Sequence, residues 1–286
     1  MSIKNVGIIG NGFVGSATAS GFALAAKVRV YDIDEQKRTH PLEEVVSQSD
    51  FVFICVPTPM RLGSGKDDVS IIRRVFREIK ECSLKKGQVF IIKSTATPAS
   101  LASVLEENNC LSIVFSPEFL TQRSARLDFI NTNRIVLGGK EEDVDKVESL
   151  MRVRFPHTKI IKTDLITAQF TKYMANCFFA TKVAFMNELR QAANALDVDW
   201  EKAMDGFVSD GRIGNSHLNV PGHDGKMGFG GKCFPKDLNA FIRLYEEIGV
   251  EPTIMRAVWK KNLEVREEKD WLDIPGATSG DKNAGK

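Results

Sequence analysis

The chain has little of what builds a disulfide scaffold, a zinc site or a nucleic-acid clamp. Its five cysteines, Cys55, Cys82, Cys110, Cys177 and Cys233, are odd in number, far apart and without a CxxC pair. That excludes a disulfide framework or thiolate zinc site and implies a reducing, cytoplasmic setting. Histidine is scarce: His217 and His223 fall in a glycine-rich stretch, His40 and His157 beside prolines, and no pair has metal-ligand spacing, so no metal is expected. Lys plus Arg at 39 against Asp plus Glu at 37 leaves +2, too near balance for a nucleic-acid or anionic-membrane binder. No apolar run approaches the ~20 residues of a membrane span. The N-terminus, MSIKNVGIIGNGFVGSA, lacks the basic flank and cleavage site of a secretory signal and reads as mature sequence.

What is present suits a globular protein: 43% hydrophobic and 27% charged residues, in 286 residues. At roughly 150 residues per domain that is room for about two. Short, nearly continuous apolar runs at 6–9, 28–31, 51–56, 89–92, 113–115 and 135–137 read as strands covered on both faces. Helical patterns fit between them at 13–25, 69–82, 98–107 and 141–153. This alternation predicts an α/β protein with a doubly wound, mostly parallel, Rossmann-like sheet. From Asp164 to Leu196 no Gly or Pro interrupts one long helix, with Asp164 as its N-cap, and the remainder is helical apart from a Gly-, Asn- and His-rich loop at 210–234. The expected organisation is a sheet domain over 1–163, a mainly helical domain over 164–270 and a polar, frayed tail over 271–286.

Gly10, Gly12 and Gly15, in Gly10-Asn11-Gly12-Phe13-Val14-Gly15, follow an apolar strand and open a helix, the context that makes GxGxxG a dinucleotide fingerprint. The glycines permit a tight turn and close approach of a pyrophosphate to the helix N-terminus, at Phe13 and Val14. Asp32 ends the next strand about 20 residues on, where a carboxylate accepts from a ribose diol and repels a 2′-phosphate, favouring NAD over NADP. Lys37 and Arg38 lie close by and weaken that preference. Without a cofactor, the same glycines would serve only to pack helix on strand.

Lys172 and Asn176 are four apart on the long helix and share a face, with Asn187 further along the same stripe. An inward lysine beside an amide could stabilise an alkoxide as hydride departs; an outward one would be merely solvated. Cys233 sits in Gly228-Phe229-Gly230-Gly231-Lys232-Cys233-Phe234-Pro235-Lys236-Asp237, with a proline suited to the first helical turn just after it. A thiol at a helix N-terminus flanked by Lys232 and Lys236 is a competent nucleophile, although many lone thiols are inert. Cys55, inside an apolar run, reads as core.

Together the fingerprint, Val56-Pro57-Thr58-Pro59, Lys93-Ser94-Thr95, Ser116-Pro117-Glu118-Phe119-Leu120, Lys172 to Asn176, Asn187-Glu188, Arg212-Ile213-Gly214 and the Cys233 motif resemble the UDP-glucose 6-dehydrogenase family. The resemblance implies oxidation of carbon 6 of UDP-glucose from alcohol to carboxylate with two NAD molecules. By it, Cys233 captures the aldehyde as a thiohemiacetal that becomes a thioester, Lys172 and Asn176 steady the oxyanion, Asp237 and Thr95 organise a water or proton path, and Glu118 serves hydrolysis. It also assigns Thr58, Thr95 and Lys236 to the cofactor and Phe119, Leu120 and Gly230 to the substrate, and sends Arg212 to the substrate of a neighbouring subunit. The long helix is that family's dimer element, so a homodimer is implied.

Departures from the family pattern accompany the resemblance. Thr121 and Gln122 stand where a second glutamate is common, leaving hydrolysis to Glu118. The family continues into a further domain that grips the uridine diphosphate, whereas this sequence stops soon after Lys261-Asn262, as a short form would. The stretch Pro221-Gly222-His223-Asp224-Gly225-Lys226 is longer than the usual loop and could cover substrate. Alternatives remain: a GDP-mannose or UDP-N-acetylmannosamine 6-dehydrogenase, a β-hydroxyacid dehydrogenase, which the glycine-flanked Cys233 disfavours, or a non-catalytic NAD-binding subunit.

Overall fold

The computed structural model describes residues 4–280 and divides into two compact units, Met1–Thr58 with Asp68–Lys172, and Pro59–Asp67 with Tyr173–Lys286. The first unit carries strands β1 (Lys4–Ile9), β2 (Ala26–Tyr31) and β3 (Phe51–Ile54), with helices α1 (Phe13–Phe22) and α2 (Leu42–Ser47) between them. The two-residue strand β4 (Met60–Arg61) belongs to the other unit. The first unit resumes with α3 (Ser70–Lys80), β5 (Val89–Ile92), α4 (Pro98–Glu107), β6 (Ser112–Phe115), α5 (Ala125–Ile130), β7 (Arg134–Gly139), α6 (Glu141–Arg154) and β8 (Lys159–Thr163).

Its seven-stranded sheet runs β2-β1-β3-β5-β6-β7-β8, parallel throughout except between β6 and β7. Because successive strand side chains point to opposite faces, each strand feeds two cores. Ile8, Phe53 and Ile91 pack on one face with Phe22 of α1 and Val147 of α6. Ile9, Val52, Ile54 and Ile92 pack on the other with Ile72 of α3 and Leu101 of α4. This two-sided burial is why the strands are continuous apolar runs in the sequence.

The structure adds elements the sequence pattern missed. Strand β8 lies at the sheet edge with Lys159, Lys162 and Ile161 exposed, so it has none of the unbroken apolar character of the covered strands. Helices α2 and α5 have six residues each, too short to show a helical period.

Helix α7 (Leu165–Ala195) passes from one unit to the other, so no break in the sequence marks the change. Asp164 caps it, its Oδ1 accepting from the Thr167 amide at 2.8 Å. The second unit continues through α8 (Trp200–Val208), α9 (Phe234–Glu247), α10 (Thr253–Val265) and the short strand β9 (Thr278–Ser279). Tyr173, Cys177, Phe229, Leu238, Phe241 and Val258 fill its core, with the Tyr173 and Phe241 rings stacked 5.1 Å apart.

Two features differ from the expected boundaries. Residues 59–67 join the second unit rather than the sheet domain, because β4 pairs in parallel with β9 and Arg243 of α9 donates to the Ser64 carbonyl at 2.5 Å. The stretch after 270 is not a frayed tail: Trp271 and Ala277 are buried and β9 is hydrogen-bonded. Burial of these apolar side chains and the pairing of β9 with β4 hold it in place. The last part of the expected tail, 281–286, lies outside the described residues.

Candidate active site

At the end of β1 the chain turns sharply through Gly10, whose φ of +91° favours glycine. A Cβ at Gly15 would collide with the Gly10 carbonyl, whereas one at Gly12 would meet nothing within 4 Å. Helix α1 starts at this open position with no capping side chain and no acid in its first turn. The amides at Phe13, Val14 and Gly15 therefore present a positive helix end without a side-chain acceptor. Asp32, just beyond β2, accepts from the Asn11 amide at 2.6 Å and from the Asp34 amide at 2.9 Å, which fixes its carboxylate beside the glycine turn. Lys37 is exposed and pairs with Asp34 at 2.9 Å. An uncapped helix end, a glycine cradle and a fixed carboxylate fit a dinucleotide.

Deeper in the same unit, charged groups are buried together. Lys172, on the first turns of α7, places Nζ 2.9 Å from Glu118 Oε1, with side chains 4% and 6% exposed. Glu118 Oε2 accepts from the Leu120 amide at 2.6 Å, and the Phe119 ring lies 5.5 Å from the Lys172 ammonium and 3.9 Å from the Arg134 guanidinium. Lys93, at the end of β5, is also buried and donates to the Ser116 carbonyl at 3.0 Å. Burial pushes its pKa below the usual lysine value, with Lys172 adding repulsion while Glu118 and Cys55 oppose the shift. Cys55 is packed against the core, and burial pushes its thiol up to about 12, in keeping with a structural residue. Thr58 donates to the Thr95 carbonyl at 2.6 Å, joining the segments after β3 and β5.

The second unit holds the other predicted residues. Cys233 is half-buried and occupies the N-cap position of α9, with Pro235 in the first turn as expected. One turn along, Asp237 is buried and accepts from Asn176 Nδ2 at 2.5 Å and from Lys236. Burial alone would lower the Lys236 pKa, but the Asp237 charge and hydrogen bond, helped by Asp67 and Cys233, carry it above the usual value. Asn187 is buried and accepts from the Gly228 amide at 3.0 Å. Lys172 and Asn176 are thus both buried rather than solvated. Arg212 is 89% exposed and, among the described residues, pairs locally with Asp210. A Cβ at Gly230 would run into Asp270 and Arg266. His217 stacks on Phe179 with ring centroids 4.2 Å apart.

Sequence reasoning gave no role to Lys93, Asp67, Arg266 or Asp270. Lys93 carried a signal, a cation directly after an apolar strand beside Ser94-Thr95. Buried Asp67 lies in a loop that joins a distant part of the chain, and Arg266 and Asp270 sit in a charged stretch that reads as solvated surface.

Residues 37–153 match the NAD binding domain of the UDP-glucose/GDP-mannose dehydrogenase family and residues 166–264 match that family's central domain. The chain is 29% identical to a UDP-glucose 6-dehydrogenase of Bacillus subtilis, over 92% of this chain and 64% of the relative. It is 32% identical to a UDP-glucose 6-dehydrogenase of Rickettsia bellii, over 80% of this chain and 52% of the relative. It thus spans between about half and two thirds of these curated relatives. A solved UDP-glucose dehydrogenase from Pyrobaculum islandicum superimposes with a TM-score of 0.77 at 28% identity, covering 91% of this chain and 68% of the other. With both domain models matched in order over most of its length, the chain belongs to the UDP-glucose/GDP-mannose dehydrogenase family.

Proposed function

We propose that this chain carries out the NAD-dependent four-electron oxidation of UDP-glucose to UDP-glucuronate. The observation that carries the reading is Cys233 at the start of α9, one turn from a buried Asp237 held by Asn176 and Lys236. A simple alcohol oxidation has no use for a thiol so placed. The glycine turn and Asp32 would hold NAD, which when bound would supply the hydride acceptor for both oxidations.

The remaining chemistry falls to this chain's own side chains. Lys172 and Asn176 donate to the oxygen on carbon 6 and stabilise it as an oxyanion once its hydroxyl proton has passed to water. The Cys233 sulfur forms a C–S bond to the aldehyde carbon while the carbonyl oxygen takes a proton, and the half-oxidised sugar cannot leave. Loss of a second hydride from that carbon and of its hydroxyl proton to water would leave a thioester, and there Glu118 takes a proton from an attacking water. The bond between the acyl carbon and the Cys233 sulfur then breaks, the sugar leaves as a carboxylate that has gained the water oxygen, and the Cys233 thiolate is regenerated. The family resemblance assigns Asp237 and Thr95 to a water or proton path, Phe119, Leu120 and Gly230 to the sugar, and Arg212 to the substrate of a second copy. The same resemblance assigns Thr58 and Lys236 to the cofactor.

The second copy docks, on this reading, along α7, where Met174, Phe178, Phe185 and Leu189 are exposed while Tyr173, Cys177, Ala180 and Ala184 are buried. Contiguous exposed apolar residues of this kind mark an association surface.

The test is a substrate panel with NADH release as readout: UDP-glucose, GDP-mannose and UDP-N-acetylmannosamine. Two NADH per UDP-glucuronate are expected, with Cys233→Ser failing to complete the conversion. Absence of NADH formation with every nucleotide sugar would sink the proposal.

A further inference from the structure

We propose that Arg266 and Asp270 are positioning residues that clasp the glycine-rich loop leading into Cys233 and so set where its sulfur is presented. The proposal rests on the reading of Cys233 as nucleophile. Both residues lie beyond residue 264, where the match to the family's central domain ends.

The loop between α8 and α9 has no helix or strand of its own, so its backbone needs partners from elsewhere. Asn187 of α7 holds the Gly228 amide, and the end of α10 and the turn after it supply partners on either side of that point. Arg266, with its side chain 2% exposed, binds Asp224 at 2.8 Å and the Met227 carbonyl at 3.4 Å in the second half of the loop. Its other terminal nitrogen lies 3.3 Å from Asp270 Oδ1, and Asp270 Oδ2 accepts from the Gly231 amide at 3.0 Å. Between these anchors Asn262 accepts from the Phe229 amide at 2.7 Å and donates to the Phe229 carbonyl at 3.0 Å. The guanidinium therefore ties Asp224 to Asp270, and Asp270 ties that pair to a backbone amide two residues before Cys233.

Glycine at 230 is required by the same arrangement, since a Cβ there would occupy the space of the Asp270 carboxylate and the Arg266 guanidinium. Burial would raise the Asp224 carboxyl, but the Arg266 hydrogen bond and the Lys226 amide hold it below the usual range, so the pair is charged at neutral pH. A buried, forked cation with two carboxylates at fixed positions restrains a loop in more than one direction, as a single contact would not. For a nucleophile, displacement of the order of an ångström is enough to lose most of the rate.

The experiment compares wild type with Arg266→Met and Asp270→Asn by iodoacetamide labelling followed by peptide mass spectrometry, alongside NADH kinetics with UDP-glucose. Cys177, buried within α7, reports global opening. The expected result is Cys233 labelling faster by about tenfold with Cys177 unchanged, and kcat lower by roughly 10- to 100-fold with KM for NAD unchanged. Wild-type labelling of Cys233 in Arg266→Met, or Cys233 and Cys177 rising together, would overturn the proposal. Should Arg266→Met not fold, Asp224→Asn, which trims the arm that is 35% exposed, is read by the same criteria. A wild-type protein that makes no NADH removes the oxidoreductase reading, and the labelling ratio still decides the clasp.

Discussion

Lys172 and Glu118 form an ion pair at 2.9 Å from which water is almost excluded, the lysine at the start of α7 and the glutamate just after β6. Removing one member of such a pair leaves an uncompensated buried charge or an unmet donor, and costs about 3–5 kcal/mol. Glu118→Gln and Lys172→Met should each lower the urea midpoint accordingly, and the double variant should lose less than the two single losses together. If Glu118 also serves hydrolysis, Glu118→Gln with UDP-glucose and NAD should accumulate a protein-bound acyl adduct visible by intact-mass spectrometry. Additive losses and no adduct would contradict both roles.

The glycine turn separates cofactor binding from folding. Gly12 has extended backbone and an unobstructed Cβ direction, so Gly12→Ala should fold with stability within about 0.5 kcal/mol of wild type. The added methyl would stand where a pyrophosphate approaches, and NAD affinity should fall at least about tenfold, which is about 1.4 kcal/mol. Gly15→Ala meets the Gly10 carbonyl instead and should destabilise the fold by about 3 kcal/mol or more. Thermal melts paired with NAD titration distinguish the two. Equal effects of both substitutions on stability would refute the assignment.

How much of this was legible depends on how local the signal is. The glycine turn, Asp32, the Asp164 cap and the Pro235 start of α9 are set by neighbouring residues and could be read directly. The covered strands were legible because burial on both faces leaves unbroken apolar runs. Edge strand β8 and the buried Trp271 segment were not, since each depends on a partner outside its own stretch: β7 for the strand, and the Trp259 ring of α10 for the tryptophan. The same limit applies to the candidate site. Lys172 could be placed on a helix face, but whether that face was buried against Glu118 required the fold, and Arg266 and Asp270 resemble solvated surface until Asp224 and Gly231 are seen beside them.

Two buried lysines should give opposite pH dependences of stability. Burial, with repulsion from Lys172, lowers the Lys93 pKa below 10.5 despite Glu118 and Cys55, so the unfolded chain binds the proton more tightly there. Stability from this group therefore rises with pH between its lowered value and 10.5. Lys236 is raised because the Asp237 charge outweighs burial; its contribution is complete below 10.5 and is lost as pH rises through the raised value. Relative to wild type, Lys93→Met should gain most at neutral pH and lose that advantage toward pH 10.5. Lys236→Met should be most harmful at neutral pH. Urea midpoints across that range check both signs, and parallel pH profiles for the two variants would contradict them.

The exposed stripe on α7 makes a prediction about association. Phe178 is 61% exposed and Met174, one turn earlier, is 55% exposed, while Tyr173 and Cys177 beside them are buried in the core of the helical unit. The helix thus satisfies its inward face and leaves large apolar side chains toward solvent, which a second copy could cover. A glutamate at 178 would put a charge at the centre of that contact, where desolvation without a partner is unfavourable. It would leave the folded subunit nearly untouched, because exposed substitutions usually change stability by about 0.5 kcal/mol or less. Phe178→Glu should therefore halve the mass measured by light scattering while keeping the wild-type melting temperature. If Arg212 reaches the substrate of a second copy, the same variant should raise KM for UDP-glucose more than KM for NAD. Wild type that is monomeric at micromolar concentration, or a variant that retains the wild-type mass, would show that this face is not the interface.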